Sequence, residues 1–254
     1  MGEFITEQHD GHVLTITLNR PEVLNAMHDP AFAELNAALD RFAADDDLWV
    51  AILTGAGRGF CAGFDIRTTP APPQPGEHMF RNTYRPHLLK PLIAAVNGAA
   101  YGNGWELALG CDIVVADPSA KFALSEPRIG LVALAGGAAR LPLRMPYHLA
   151  MELLLTGRAI DAATAHRHGV VNAISEPGEV MALARRYAEE LLRCAPRALA
   201  MTKQIAIAAA EPEALMAELG ELSHATLAEL FKTEDSLEGR TAFLEKRAPQ
   251  WRNR

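Results

Sequence analysis

The sequence is poor in the residues that build metal sites, disulfide frameworks and membrane spans. Its three cysteines, Cys61, Cys111 and Cys194, lie far apart with no C-x-x-C pair. That spacing excludes a thiolate metal site and a disulfide scaffold, and it leads us to expect a reducing cytoplasm. None of the nine histidines falls in an H-E-x-x-H arrangement, so no metal is expected. No apolar run reaches the roughly 18 residues that a membrane helix requires. The opening MGEFITEQHDG carries acids where a secretory signal carries an apolar core. Basic residues are outnumbered: 24 Lys and Arg stand against 31 Asp and Glu, a net charge of −7, which argues against a nucleic-acid partner.

Apolar residues, by contrast, make up 49% of the 254 positions, enough for a sizeable core. HVLTITL (12–18) reads as a strand after the His9-Asp10-Gly11 turn, and WVAILTG (49–55) as a buried one. Asp29-Pro30 starts a helix with Asp29 at its cap and Phe32, Leu35, Leu39 and Phe42 on its buried face; Asp45-Asp46-Asp47 closes it. GAGRGFCAGFDI (55–66) reads as a glycine-rich loop able to bring backbone N–H groups close to a ligand. It is no dinucleotide fingerprint, because Phe60 stands where G-x-G-x-x-G needs its last glycine. The segment also runs into the proline-rich loop 68–76 instead of a helix.

Further on, a helix is expected over 77–89, two helical pieces split near Pro146 and stopped by Gly157, a short helix over 161–169 capped by Asp161, and a last strand over 170–174. Amphipathic helices follow over 179–194, 197–210, 212–231 and 235–246. Strands in the first two thirds and helices in the last predict an α/β core over 1–177 and a helical region over 178–254.

The stretch Lys90–Gly137 organises this plan, as apolar strand, glycine-rich turn, short helix, second strand and a loop opening another helix. Two carboxylates interrupt its apolar runs: Glu106 among Trp105, Leu107 and Leu109, and Glu126 after Phe122-Ala123-Leu124. An apolar setting raises a carboxyl pKa unless the group is paired, so two of them in one unit make a candidate acid/base pair. Gly102-Asn103-Gly104 and Cys61-Ala62-Gly63 each offer loose N–H donors, either as plain tight turns or as a place for a developing oxyanion. Together, donors and carboxylates fit acyl-transfer or enolate chemistry. Asp65 reads as a turn or cap residue, and Asp112 as one that bonds local backbone where a strand begins. Ser125 has no partner histidine, and His166 and His168 read as surface residues.

These residues resemble the crotonase superfamily, the enoyl-CoA hydratase/isomerase group. The matching pieces, in the family's order, are RPEVLNA (20–26), GRGFCAGFDI (57–66), KPLIAAVNGAAYGNGWELALGCDIVVAD (90–117), AKFALSEPRIGLVALAGGAARLP (120–142), LLLTGRAIDAATAHRHGVVNAI (153–174) and AFLEKRAP (242–249). The resemblance implies an α/β, crotonase-like ββα spiral core with a C-terminal helical trimerisation region. It also implies a trimer or dimer of trimers, an acyl-CoA thioester substrate, and no cofactor beyond the substrate's CoA. It places the oxyanion donors at the N–H groups of Ala62 and Asn103, and the acid/base glutamates at Glu106 and Glu126. In that scheme Glu106 activates a water and Glu126 delivers a proton to the α-carbon. Arg20, Gly63, Phe64, Asp65 and Ile66 fall on the path for substrate and CoA. Leu134 borders the acyl pocket, and Phe243 and Lys246 reach over the CoA.

Three departures from the family's pattern stand out: Asn103 for a glycine, Ser125 where proline is frequent before Glu126, and Ala133-Leu134-Ala135 before the Gly136-Gly137 pair. Retention of both glutamates favours a hydratase, or its reverse dehydratase; the alternatives are a Δ3–Δ2 enoyl-CoA isomerase, another crotonase-type acyl-CoA enzyme such as one of thioester hydrolysis or C–C cleavage, and a non-catalytic acyl-CoA binder.

Overall fold

The computed structural model describes residues 2–68, 88–210, 225–226 and 228–252. Strand β1 (Ile5–Asp10) turns at Gly11 into β2 (Val13–Leu18), and the two pair antiparallel. The composition of ITEQHD does not announce β1, because Ile5 is its one large apolar residue and its last three residues are exposed. Helix α1 (Asp29–Ala44) buries Phe32, Leu35, Leu39 and Phe42 on the face the periodicity predicts. Its cap is His28, with Asp29 in the first helical position and Pro30 in the first turn, where a missing N–H is harmless.

Eight more strands follow among the described residues: β3 (Val50–Gly55), β4 (Gly59–Cys61), β5 (Leu92–Val96), β6 (Ala99–Tyr101), β7 (Ile113–Ala116), β8 (Lys121–Ala123), β9 (Ile160–Asp161) and β10 (Ala173–Ile174). They form two sheets, ordered β1-β2-β3-β5-β7-β10 and β4-β6-β8-β9. Apart from the β1–β2 and β8–β9 pairs, the neighbours are parallel. From β3 to β8 the chain crosses from one sheet to the other at every strand and advances one place each time, which is the spiral. β4 corrects the expectation of a loop over 55–66: Gly59–Cys61 pairs with β6 and buries Phe60. The last strand is shorter than expected, because the N–H groups of Val170 and Val171 turn back to Ala165 O.

The helices in order are α2 (Asn103–Leu109), α3 (Gly137–Arg144), α4 (Tyr147–Thr156), α5 (Ala162–Arg167), α6 (Val180–Leu192), α7 (Pro196–Ala210) and α8 (Glu234–Leu244). Asp161 caps α5 as expected, accepting from Thr164 N–H at 2.8 Å. The expected helices over 77–89 and 212–231, and the loop after Thr68, lie almost wholly outside the described residues.

Strands buried on both faces read as unbroken apolar runs. Leu53, Leu92, Val96 and Val114 point into the space between the sheets; Val50, Ile52, Ile93 and Val115 point outward onto Val180, Leu183, Ala184 and Ala188 of α6. The segment 178–254, set apart by composition, therefore begins with a helix that packs as part of the core. Helix α8 returns to a different place, the turn after Glu126. Backbone meets backbone there: a Cβ on Gly239 would overlap Ile129, and one on Gly130 would come within 2.7 Å of Asp235 O. Among the described residues no helix is long and apolar enough to cross a membrane.

Candidate active site

Glu106 lies in α2, every residue of which is buried. The helix is wedged in by small residues: Gly102 turns into it at φ +52°, and a Cβ on Gly104 would overlap the Cys61 carbonyl. Glu106 is 2% exposed, yet both carboxylate oxygens have donors. Oε1 accepts from Gly137 N–H at 2.9 Å and Oε2 from Asn103 Nδ2 at 3.4 Å. Burial pushes its pKa up to about 7; the amide of Gly137, the Asn103 carboxamide and the more distant Arg140 oppose that rise.

Glu126 opens a 3-10 turn (Glu126–Ile129) that Pro127 starts and Gly130 ends at φ +68°. Its Oε1 lies 3.1 Å from where a Cβ on Gly102 would be, and its Oε2 is buried with no hydrogen-bond partner among the described residues. Burial first, and the charge of Glu106 second, push Glu126 up to about 8. The two carboxylates thus differ in a directed way. Hydrogen bonds that favour the charged form are gathered on Glu106, whereas Glu126 has only its own amide to set against burial and the charge of Glu106.

Ala62 does not fit the role expected of it. Its N–H donates to Leu24 O at 2.9 Å and is engaged inside the fold. Beyond it, Met27 N–H donates to Gly63 O at 2.8 Å, and Asp65 N–H to Met27 O at 2.7 Å. In such a pairing alternate residues face the partner strand, so Phe64 N–H points the other way. It makes no hydrogen bond among the described residues. Gly63, at φ +106°, packs against residues 101–103: a Cβ there would lie 2.9 Å from Tyr101 O and 3.6 Å from Asn103 N. Phe64 N–H and Asn103 N–H are therefore the pair of loose donors beside the glutamates.

Arg20 and Asp65 brace this segment. Arg20 donates to Ala26 O at 2.6 Å and to Asp65 at 3.3 Å, while Arg67 grips both Asp65 oxygens at 2.8 Å. The Arg67 guanidinium, ahead of Arg20, holds the Asp65 carboxyl below the usual range. Phe64, Ile66 and Leu134 are half-buried, whereas Phe243, in the last turn of α8, and Lys246, just past it, are exposed. Asp112 corrects another expectation: its partners are distant, Leu92 N–H at 2.8 Å and Lys203 at 2.6 Å. Two contributors were not named from the sequence, the Gly137 amide and the buried Arg140. The Gly136-Gly137 pair opening a helix was the available signal. Among the described residues no cluster of three or more His, Cys, Asp or Glu is placed to hold a metal ion.

The Enoyl-CoA hydratase/isomerase family model matches residues 8–254. The chain belongs to that family. It is 39% identical to the (E)-benzylidenesuccinyl-CoA hydratase of Thauera aromatica over 98% of both chains, and 38% identical to the carnitinyl-CoA dehydratase of Proteus mirabilis over 96% of both. Among solved structures, the carnitinyl-CoA hydratase of Mycobacterium avium superposes with a TM-score of 0.90 at 35% identity, covering 100% of each chain. The protein is an enzyme of the enoyl-CoA hydratase type, a hydro-lyase acting on acyl-CoA thioesters. The crotonase fold is confirmed, and it sets the donors to Glu106 and the loose N–H groups of Phe64 and Asn103 in one site.

Proposed function

We propose that the protein adds water across the double bond of a 2-enoyl-CoA thioester, and removes it in reverse, through Glu106 and Glu126. The observation that carries the residue assignment is the asymmetry of the pair: Glu106 accepts two hydrogen bonds, and Glu126 Oε2 accepts none among the described residues. Ionised Glu106 takes a proton from the water as its oxygen bonds to the β-carbon. The thioester oxygen gains charge as the enolate forms, and the N–H groups of Phe64 and Asn103 receive it. Protonated Glu126 then delivers its proton to the α-carbon, and proton exchange resets the pair. The chemistry needs no cofactor beyond the CoA of the substrate. Gly63, Ile66 and Leu134 line the acyl thioester, and Phe243 and Lys246 serve the CoA end.

The wild-type enzyme is expected to consume crotonyl-CoA, followed by loss of the enoyl-thioester absorbance, faster than it converts a 3-enoyl-CoA into the 2-enoyl isomer. The reverse order moves the assignment to Δ3–Δ2 isomerase. The thioesters named for the two relatives, (E)-benzylidenesuccinyl-CoA and carnitinyl-CoA, complete the panel that reads out the acyl group.

The enzyme works as a trimer or dimer of trimers in this proposal. Helix α7 supports it, having no buried residue and leaving Met201 59% and Ile205 73% exposed. Light scattering on the purified protein is expected to give three or six times the chain mass of 27.5 kDa. A monomer at micromolar concentration excludes it.

A further inference from the structure

Asn103 does more in this geometry than lend its backbone N–H. Its side chain is 4% exposed and folds back along α2 toward Glu106. The orientation of the carboxamide follows from its neighbour: Nδ2 faces the Glu106 oxygen, because the opposite flip would set two acceptors against each other. Oδ1 is then left buried, accepting no hydrogen bond among the described residues. Buried acceptors are ordinarily satisfied, so one that is not calls for a donor from outside the fold. The residue itself sits among the parts of the site: its Nδ2 reaches Glu106, Gly63 packs against its N–H, and Glu126 Oε1 lies beside the preceding Gly102. In the hydratase reading above, a thioester whose oxygen sits on Asn103 N–H brings its reacting carbons among these groups. A 2-enoyl or 3-enoyl acyl chain has no O–H to offer Oδ1. The adding water has two, and so does the transition state in which one of them passes to Glu106.

We infer that the Asn103 side chain holds the oxygen nucleophile. Oδ1 accepts the O–H that stays on the β-oxygen, while Nδ2 keeps Glu106 turned to take the other proton. In the dehydration direction the same atom accepts the O–H of a 3-hydroxyacyl thioester. The bond changes are those of the hydration itself, with Asn103 forming no covalent bond. The inference names a specificity determinant for β-oxygenated over oxygen-free acyl thioesters, and it rests on the hydratase reading above.

The test compares wild type with Asn103→Gly and Asn103→Ala, both of which keep the backbone N–H. Two rates are measured on each: hydration of crotonyl-CoA, and exchange of the α-protons of butyryl-CoA with deuterated solvent. The second needs thioester polarisation and a carboxylate but no adding water. The ratio of hydration to exchange is expected to fall at least about tenfold in both variants, mainly through kcat. A ratio that stays at the wild-type value overturns the inference, whether both rates hold or both fall together. If wild type exchanges the α-protons but hydrates none of the enoyl thioesters, the hydratase reading fails and takes this inference with it.

Discussion

Glu106→Gln is expected to lower kcat/KM for enoyl-CoA hydration by about 10³-fold, and Glu126→Gln by a similar factor. Each substitution keeps the shape of the side chain and removes one half of the proton traffic. Because the two act on one event, the double variant is expected to lose little more than either single one. The pH profile separates the roles. Both carboxyls are raised, chiefly by burial, and the charge of Glu106 adds to the rise at Glu126. Activity needs one proton on the pair, so the wild-type profile is expected to be bell-shaped with its maximum between about 7 and about 8. Residual activity in Glu106→Gln loses the acid limb, and in Glu126→Gln the alkaline limb. Stability carries the same sign: a carboxyl whose folded pKa is raised stabilises below its unfolded value and loses that contribution as pH rises through the folded one. The Tm of wild type is therefore expected to fall from pH 5 to pH 9, and Glu126→Gln to flatten that fall. A Glu126→Gln enzyme that hydrates at the wild-type rate would remove the acid from the mechanism.

The second large effect lies at a distance from the thioester. Gly239→Val is expected to lower kcat about 100-fold, the scale of an ångström of misplacement at a reacting group. The side chain would drive into the backbone of Ile129, and the clash has no flexible group to absorb it. Helix α8 must lift or the turn carrying Glu126 must shift, and either moves the carboxyl proposed as proton donor. The sheets and Glu106 are elsewhere, so far-UV circular dichroism and the cooperative melt of the spiral are expected to persist. An unchanged kcat in a folded variant would show that α8 does not hold the turn.

Much of this architecture was legible because the strands that matter are buried on both faces. VAILTG and LIAAV are unbroken apolar runs for that reason, and α1 shows its periodicity because only one of its faces is covered. Glu106 and Glu126 stood out by the same logic, Glu106 as a charge among apolar neighbours and Glu126 as one just after the apolar run Phe122-Ala123-Leu124. What escaped depends on partners far away in the chain. β1 has a single apolar anchor, and its strand form comes from pairing with β2. Whether Ala62 or Phe64 presents a free N–H is decided by Leu24 and Met27, which take up alternate positions of that segment. Glu106 gains its strongest donor from Gly137, on a different helix. Asp112 finds Lys203 of α7 across the fold. Sequence patterns report which face of an element is dry; they do not report which way a given amide points.

The order of strands has a consequence for solubility. A twin-sheet spiral that advances by one strand per crossing leaves four rims where another chain's backbone could add on. Among the described residues each rim is blunted. One ends in β1, whose exposed residues are charged or polar, and the opposite one in the two residues of β10. The smaller sheet ends in the three residues of β4 and in the two of β9, the latter antiparallel to its neighbour. Short or polar rims offer a poor template for strand addition. The assembly proposed above would use helix faces such as that of α7, which would keep it apart from aggregation through strand edges.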